Sequence, residues 1–144
     1  MRIDVLNGVN LDLLGRRDPG VYGSDSLQDL ETRIYAWARE LGLQVRCRQT
    51  NHEGEYVEFL HAALDGADAL VLNPGAWTHY SWAIRDALEP FPGAVIEVHI
   101  SDIESRDEWR RMSVLEGRTT RRILGEGIDG YRQALELLAQ KRDE

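Results

Sequence analysis

Three short stretches of this chain concentrate side chains able to move protons or hold an anion. The first runs Asn7-Gly8-Val9-Asn10-Leu11 to Gly15 and continues to Arg17, Pro19 and Tyr22. A cation beside a tyrosine favours the phenolate, which suits a general base at neutral pH. The plain alternative is a Tyr22 packed on the following helix and a solvated Arg17. The second stretch is Asn73-Pro74-Gly75-Ala76-Trp77-Thr78-His79. A turn that ends a strand and opens a helix offers backbone N–H groups to an anion. Asn73 adds an amide there, and His79 a ring able to donate to a carboxylate or hydroxyl, unless it only caps the helix. The third is Glu97-Val98-His99-Ile100-Ser101. Residues two apart on a strand share a face, so Glu97 and His99 can sit side by side. A carboxylate in that place orients the imidazole and favours its protonated form, which suits a general acid. A charged Glu in an apolar strand is costly unless paired, so the alternative is a buried pair that only satisfies itself.

Strands and helices alternate along the chain and must position these stretches. Ile3–Leu6 reads as a strand, and a long polar loop follows from Asn7 to about Ser24; loops beyond ~12 residues inside a compact domain are usually functional or disordered. Asp25, with Gln28 three positions on, is read as the cap of a helix carrying Leu27, Leu30, Ile34, Trp37, Ala38 and Leu41 at helical spacing, and Gly42 stops it. Gln44–Gln49 alternates as a strand. A second helix after Asn51 is expected to turn Val57, Leu60, Ala63 and Leu64 inward. Ala69–Leu72 is a short apolar strand, broken by Asn73-Pro74-Gly75. Thr78 or Ser81 begins a third helix that ends before Pro90. Ala94–His99 is an apolar strand, Glu104–Arg111 a short helix, and Arg121–Leu124 an edge strand. Ile128–Gln140 closes the chain as a helix with Tyr131, Leu135 and Leu138 inward. Such alternation implies parallel pairing and a three-layer, flavodoxin-like α/β sandwich with five strands in the order 2-1-3-4-5. Ligands then bind at the carboxyl ends of the strands, at the switch point, where the three polar stretches fall.

Bulk composition narrows the functions. The 144 residues fit one domain spanning positions 1–144. The net charge of −8 argues against nucleic acid. No apolar run approaches the ~20 residues of a membrane span, and no basic-then-apolar leader opens the sequence, so a cytoplasmic location is expected. Of the 17 basic residues only Lys141 is a lysine. A Schiff base needs a desolvated lysine, which a residue so near the C-terminus does not readily supply. Arginine is the better carboxylate clamp, because its planar fork binds both oxygens. Cys47 is the single cysteine, which excludes an intrachain disulfide, and it reads as core filler. There is no G-x-G-x-x-G, no Walker loop and no H-E-x-x-H; His61 lies in a helix without a partner and is read as surface.

Taken together, LNGVNLDLLG, RRDPGVYG, RQTNHEGE, NPGAWTHYSWAIRDAL, VIEVHISDI and GIDGYRQALELL make the chain resemble the type II 3-dehydroquinate dehydratases over nearly its whole length. The resemblance implies dehydration of 3-dehydroquinate by anti elimination through an enolate, with no metal and no cofactor. By position it implies Tyr22 as the base and Arg17 as the lid arginine that keeps Tyr22 deprotonated. Asn10 would stabilise the enolate through a water. His99 would be the acid and Glu97 its orienting partner. Asn73, His79, Ser101 and Arg110 would bind substrate, with Arg110 on the ring hydroxyls and the Ile100–Ser101 backbone on the carboxylate. Asp86 would reach into a neighbouring subunit's site, in a dodecamer of four trimers.

Some positions depart from the family's pattern. Val9 replaces a usual proline, Asp12 and Asp102 stand where Asn is frequent, and Trp77 is bulkier than usual. Met112–Glu126 diverges most. A histidine, a Pro-containing turn and a strongly apolar strand are usual there; here the stretch carries Met112, Arg118, Arg121 and Arg122. That puts the edge strand and subunit contacts in question. Two other readings compete. A receiver-like binding module needs acidic residues after the first strand, an Asp after the third and a Lys after the fifth; this chain has Asn7, Asn73 and no such lysine. A paralogue could instead keep the pocket with a lost or changed reaction.

Overall fold

The computed structural model describes residues 1–144. Its core is a parallel sheet of β1 (Arg2–Asn7), β2 (Gln44–Gln49), β3 (Ala69–Asn73), β4 (Ala94–His99) and β5 (Arg121–Leu124). The strand order is β2-β1-β3-β4-β5, as expected. The divergent segment does form the edge strand, with Glu97 beside Arg122 and His99 beside Leu124 in the ladder. Helices α1 (Pro19–Tyr22), α2 (Leu27–Leu41), α3 (Glu53–Gly66), α4 (Trp82–Leu88) and α5 (Asp129–Arg142) complete the chain.

Strand alternation sends Ile3, Val5, Val71, Ile96 and Val98 toward α2 and α5. Leu6, Leu70, Leu72 and Val95 go to the other face, against α3 and α4. Glu97, His99 and Arg122 share that second face by the same parity. No helix is long and apolar enough to cross a membrane.

Local chemistry moved several expected boundaries. Ser26, not Asp25, caps α2: its hydroxyl accepts from the Asp29 amide at 3.0 Å while the Asp29 carboxylate accepts from the Ser26 amide at 3.0 Å. Asp25 is drawn instead into an ion pair with Arg33. In α3 the buried stripe is Tyr56, Leu60 and Ala63, and Leu64 is exposed; the Tyr56 hydroxyl donates to the Leu6 carbonyl, which fixes that face inward. The expected Glu104–Arg111 helix is two separate turns, Ile103–Ser105 and Glu108–Arg110. Extended backbone at Arg106 and Asp107 divides them. A 3-10 turn over Gly75–His79 precedes α4, and Ser81 rather than Thr78 caps that helix. The long loop is also structured: Leu11–Leu13 forms a turn, and Asp18 caps α1 with Pro19 in its first position.

Two glycines let the first two polar stretches interlock. A Cβ at Gly8 would meet the Pro74 carbonyl oxygen at 2.4 Å, and one at Gly75 the Val9 carbonyl oxygen at 2.6 Å. Added Arg charge in the divergent segment is absorbed locally. Arg118 donates to the Leu88, Glu89 and Phe91 carbonyls at the end of α4, while Arg85 donates back to the Val114 and Glu116 carbonyls. Cys47 packs under α2, and burial pushes its thiol up to about 12, with the Glu31 charge adding to this.

Candidate active site

Beyond the carboxyl ends of β1, β3 and β4 lies a cavity of about 230 Å³. Twelve of its 16 lining residues come from the three polar stretches, counting Val9, Asn10, Leu11, Arg17, Tyr22, Asn73, Gly75, Ala76, His79, His99, Ile100 and Ser101. Ile103, Arg106, Trp109 and Arg110 complete it.

One wall is built around Tyr22. Its hydroxyl oxygen accepts from Arg17 Nη2 at 2.7 Å and from Arg106 Nη1 at 2.8 Å. The Arg17 guanidinium also lies over the ring, 3.8 Å from its centre. Arg17 and Tyr22 meet because α1 turns the chain back within one helical turn. Arg106 was not singled out in the sequence, and its role here comes from the kinked backbone between the two short turns. It also donates to Ser101 Oγ at 3.1 Å, tying that wall to the end of β4.

The facing wall holds the third stretch. His99 Nε2 is 2.7 Å from Glu97 Oε2. Glu97 is wholly buried and also accepts from Thr78 Oγ1 at 2.5 Å and from Ser113 Oγ. Burial alone would raise its carboxyl, but the hydrogen bond and charge of His99, the Thr78 hydroxyl and the Arg122 charge outweigh burial, holding it below the ordinary value of 4.5. The carboxylate fixes Nε2 as a donor, so Nδ1 of His99 is the nitrogen left for a ligand.

His79 behaves differently from the sequence expectation. Its Nδ1 lies 2.7 Å from the Met112 carbonyl oxygen, which can only accept. Desolvation pushes the ring below its ordinary 6.5, the charges of His99 and Arg110 push the same way, and the Met112 bond opposes them. A neutral ring that donates from Nδ1 keeps Nε2 as an acceptor, so His79 suits a ligand hydroxyl rather than a carboxylate. It also ends the turn before α4 instead of opening that helix.

The remaining expected residues divide into two groups. Asn73 lies at the base of the cavity, with Nδ2 donating to the Tyr131 hydroxyl at 2.9 Å and Oδ1 accepting from the Gly75 amide at 3.1 Å. Tyr131 donates in turn to Asn7 Oδ1 at 2.6 Å, a polar end that its place in the core stripe of α5 did not announce. Asn10 takes left-handed backbone, φ 70°, and its amide donates to Asn51 Oδ1. Neither the Ile100 nor the Ser101 amide donates to another protein group, and both residues line the cavity. Arg110 lines the mouth, paired with Asp107 and stacked on Trp109. Asp86 stands apart on the exposed side of α4, outside the cavity of its own chain.

A flavodoxin-like α/β sheet with a pocket that gathers Tyr22, His99 and several arginines at its switch point is the class of enzyme scaffold the architecture defines. The dehydroquinase class II model matches residues 1–139, and the chain belongs to that family. A 3-dehydroquinate dehydratase of Pelobacter propionicus is 51% identical over 135 residues, 93% of this chain and 91% of that protein. One from Thermotoga maritima is 48% identical over 144 residues, 100% of this chain and 99% of that protein. The crystal structure of type II dehydroquinase from Propionibacterium acnes superposes with a TM-score of 0.94 at 46% identity, covering 96% of each chain.

Proposed function

We propose that this chain dehydrates 3-dehydroquinate to 3-dehydroshikimate through an enolate. The observation that carries the reading is the pairing of a doubly clamped Tyr22 with a Glu97-backed His99 across one cavity. Two guanidinium donors converge on the Tyr22 oxygen and hold it in place as the atom that takes the proton. The phenolate removes the proton beside the ketone, and the electron pair moves onto the ketone oxygen. Asn10, which lines the cavity, would stabilise that enolate through a bridging water. The enolate then re-forms the ketone as the carbon–oxygen bond at the neighbouring carbon breaks. Nδ1–H of His99 protonates the departing hydroxyl, which leaves as water. Passage of the Tyr22 proton to solvent and reprotonation of His99 restore the starting state. The free Ile100 and Ser101 amides bind the carboxylate, while neutral His79, Asn73 and Arg110 hold ring hydroxyls. No step in this scheme uses a metal or cofactor.

Turnover of 3-dehydroquinate, followed by the ultraviolet absorbance of the conjugated product, tests the reading directly. Turnover is expected to persist after borohydride is added with substrate, because no lysine lines the cavity. Absence of turnover would leave the paralogue reading, and a borohydride-trapped adduct on the protein would replace the enolate scheme with an imine.

We further propose that the chain works as a homo-oligomer, a dodecamer of four trimers, in which Asp86 completes a neighbour's site. Exposed Tyr80, Trp82, Trp109 and Met112 surround the cavity mouth and α4, an apolar surface suited to a subunit contact. Mixing and reassembling two inactive variants, Asp86→Ala and Tyr22→Phe, is expected to restore part of the activity. A fully active monomer by light scattering at assay concentration would overturn this.

A further inference from the structure

The divergent segment places a cation where a parallel edge strand ordinarily carries an apolar side chain. Arg122 is the ladder neighbour of Glu97 and shares its face of the sheet. Its Nε lies 3.4 Å from Glu97 Oε1, while His99 holds Oε2. The guanidinium side chain is 20% exposed, and its outer nitrogen, Nη1, is 3.4 Å from Glu104 Oε1. Neither Nε nor Nη2 makes an aligned hydrogen bond.

That arrangement is expensive as a purely structural device. Replacing a buried ion pair by well-packed apolar groups is often neutral or stabilising, and unmade hydrogen bonds on a buried cation add to the cost. What Arg122 does supply is positive charge on the side of the carboxylate opposite the imidazole.

We propose that Arg122 is a positioning residue for the acid–base pair: by engaging the Glu97 oxygen that His99 leaves free, it fixes the carboxylate and draws on the negative charge that would otherwise serve the imidazolium. The proposal rests on the functional reading above for its kinetic consequences and on the ion-pair geometry alone for its electrostatic ones. The other groups around the pair are accounted for. His79 faces His99 from the turn after β3, their ring centres 6.4 Å apart. Tyr22, Arg17, Arg106 and Arg110 line the same cavity, from α1, its flanking loop and the turns after β4. Thr78, Ser113 and, from α3, Tyr56 face Glu97. Among the arginines, only Arg122 lies within ion-pair distance of the carboxylate. Removing its charge returns the full carboxylate to His99, so the imidazolium persists to higher pH.

Two measurements test this. In Arg122→Val, the alkaline limb of the kcat–pH profile is expected to move up by about half a unit or more, with the acidic limb unmoved and KM close to wild type. Arg122→Lys, which keeps the charge, should restore the original limb. Independently of turnover, the His99 ring signals in NMR should change over a higher pH range in Arg122→Val than in wild type or Arg122→Lys. Coincident His99 titrations in wild type and Arg122→Val would overturn the proposal, as would Arg122→Lys behaving like Arg122→Val. A shifted NMR titration with no turnover of 3-dehydroquinate in any form would support the Arg122 proposal and reject the functional reading instead.

Discussion

Tyr22→Phe is expected to lower kcat by about 10²–10⁴-fold, the usual contribution of a positioned acid–base group, while KM changes far less. Phenylalanine keeps the ring over which Arg17 stacks, so packing at this wall survives. What disappears is the single oxygen to which Arg17 and Arg106 both donate. That oxygen matters only while a proton is in flight, and an interaction made only in the transition state shows in kcat rather than in ground-state binding. Single-turnover measurement with excess enzyme separates the chemical step from product release and is the decisive check. A near-normal single-turnover rate would remove Tyr22 as the base. Arg17→Ala should follow the same pattern with a smaller loss, because Arg106 still supplies one cation from a different segment.

Glu97→Gln should cost both activity and stability. A glutamine fills the volume but presents no negative charge to support an imidazolium, and its amide can turn to donate to Nε2 instead of accepting from it. Loss of such an orienting carboxylate lowers kcat by about 10²-fold or more. Breaking a buried pair also leaves Arg122 facing no formal charge at Oε1, which costs about 3–5 kcal/mol where burial is complete; the partial exposure of Arg122 places the loss at the lower end of that range. The pH dependence follows from the direction of the shift. Glu97 is held below 4.5 in the fold, so its stabilising contribution is fully present above that value and drains away as pH falls through the lower folded value. Neutral His79 acts in the same sense, its contribution complete above 6.5 and declining below. Thermal unfolding of wild type between neutral and acid pH should therefore show a steeper decline than Glu97→Gln. Equal slopes would remove Glu97 as the linked group.

Strand order and helix faces were legible because apolar runs such as Ala69–Leu72 and the stripe of Leu30, Ile34 and Ala38 carry their periodicity in residue type alone. The Glu97–His99 pair was legible for the same reason: spacing of two on a strand is a geometric statement. Arg106 was not, since it is one among many arginines until the extended backbone between two short turns aims it at Tyr22. Arg122 required the β4–β5 register, which no local pattern encodes. The Asp25 expectation failed because two adjacent residues could each cap a helix, and the nearby Arg33 decided between them. His79 lines the cavity as one of the polar residues after β3, but its proton-bearing nitrogen depended on a carbonyl 33 positions away.

Cys47 has a practical meaning beyond packing. With its thiol pushed up to about 12, the reactive thiolate is on the order of 10⁻⁴ of the population at pH 8. Cys47 is thus expected to react slowly with ordinary thiol reagents. A second cysteine placed at an exposed position between Gly15 and Gly23 would take a fluorescent label essentially alone. The segment that carries both Arg17 and Tyr22 could then be watched directly while substrate enters and product leaves.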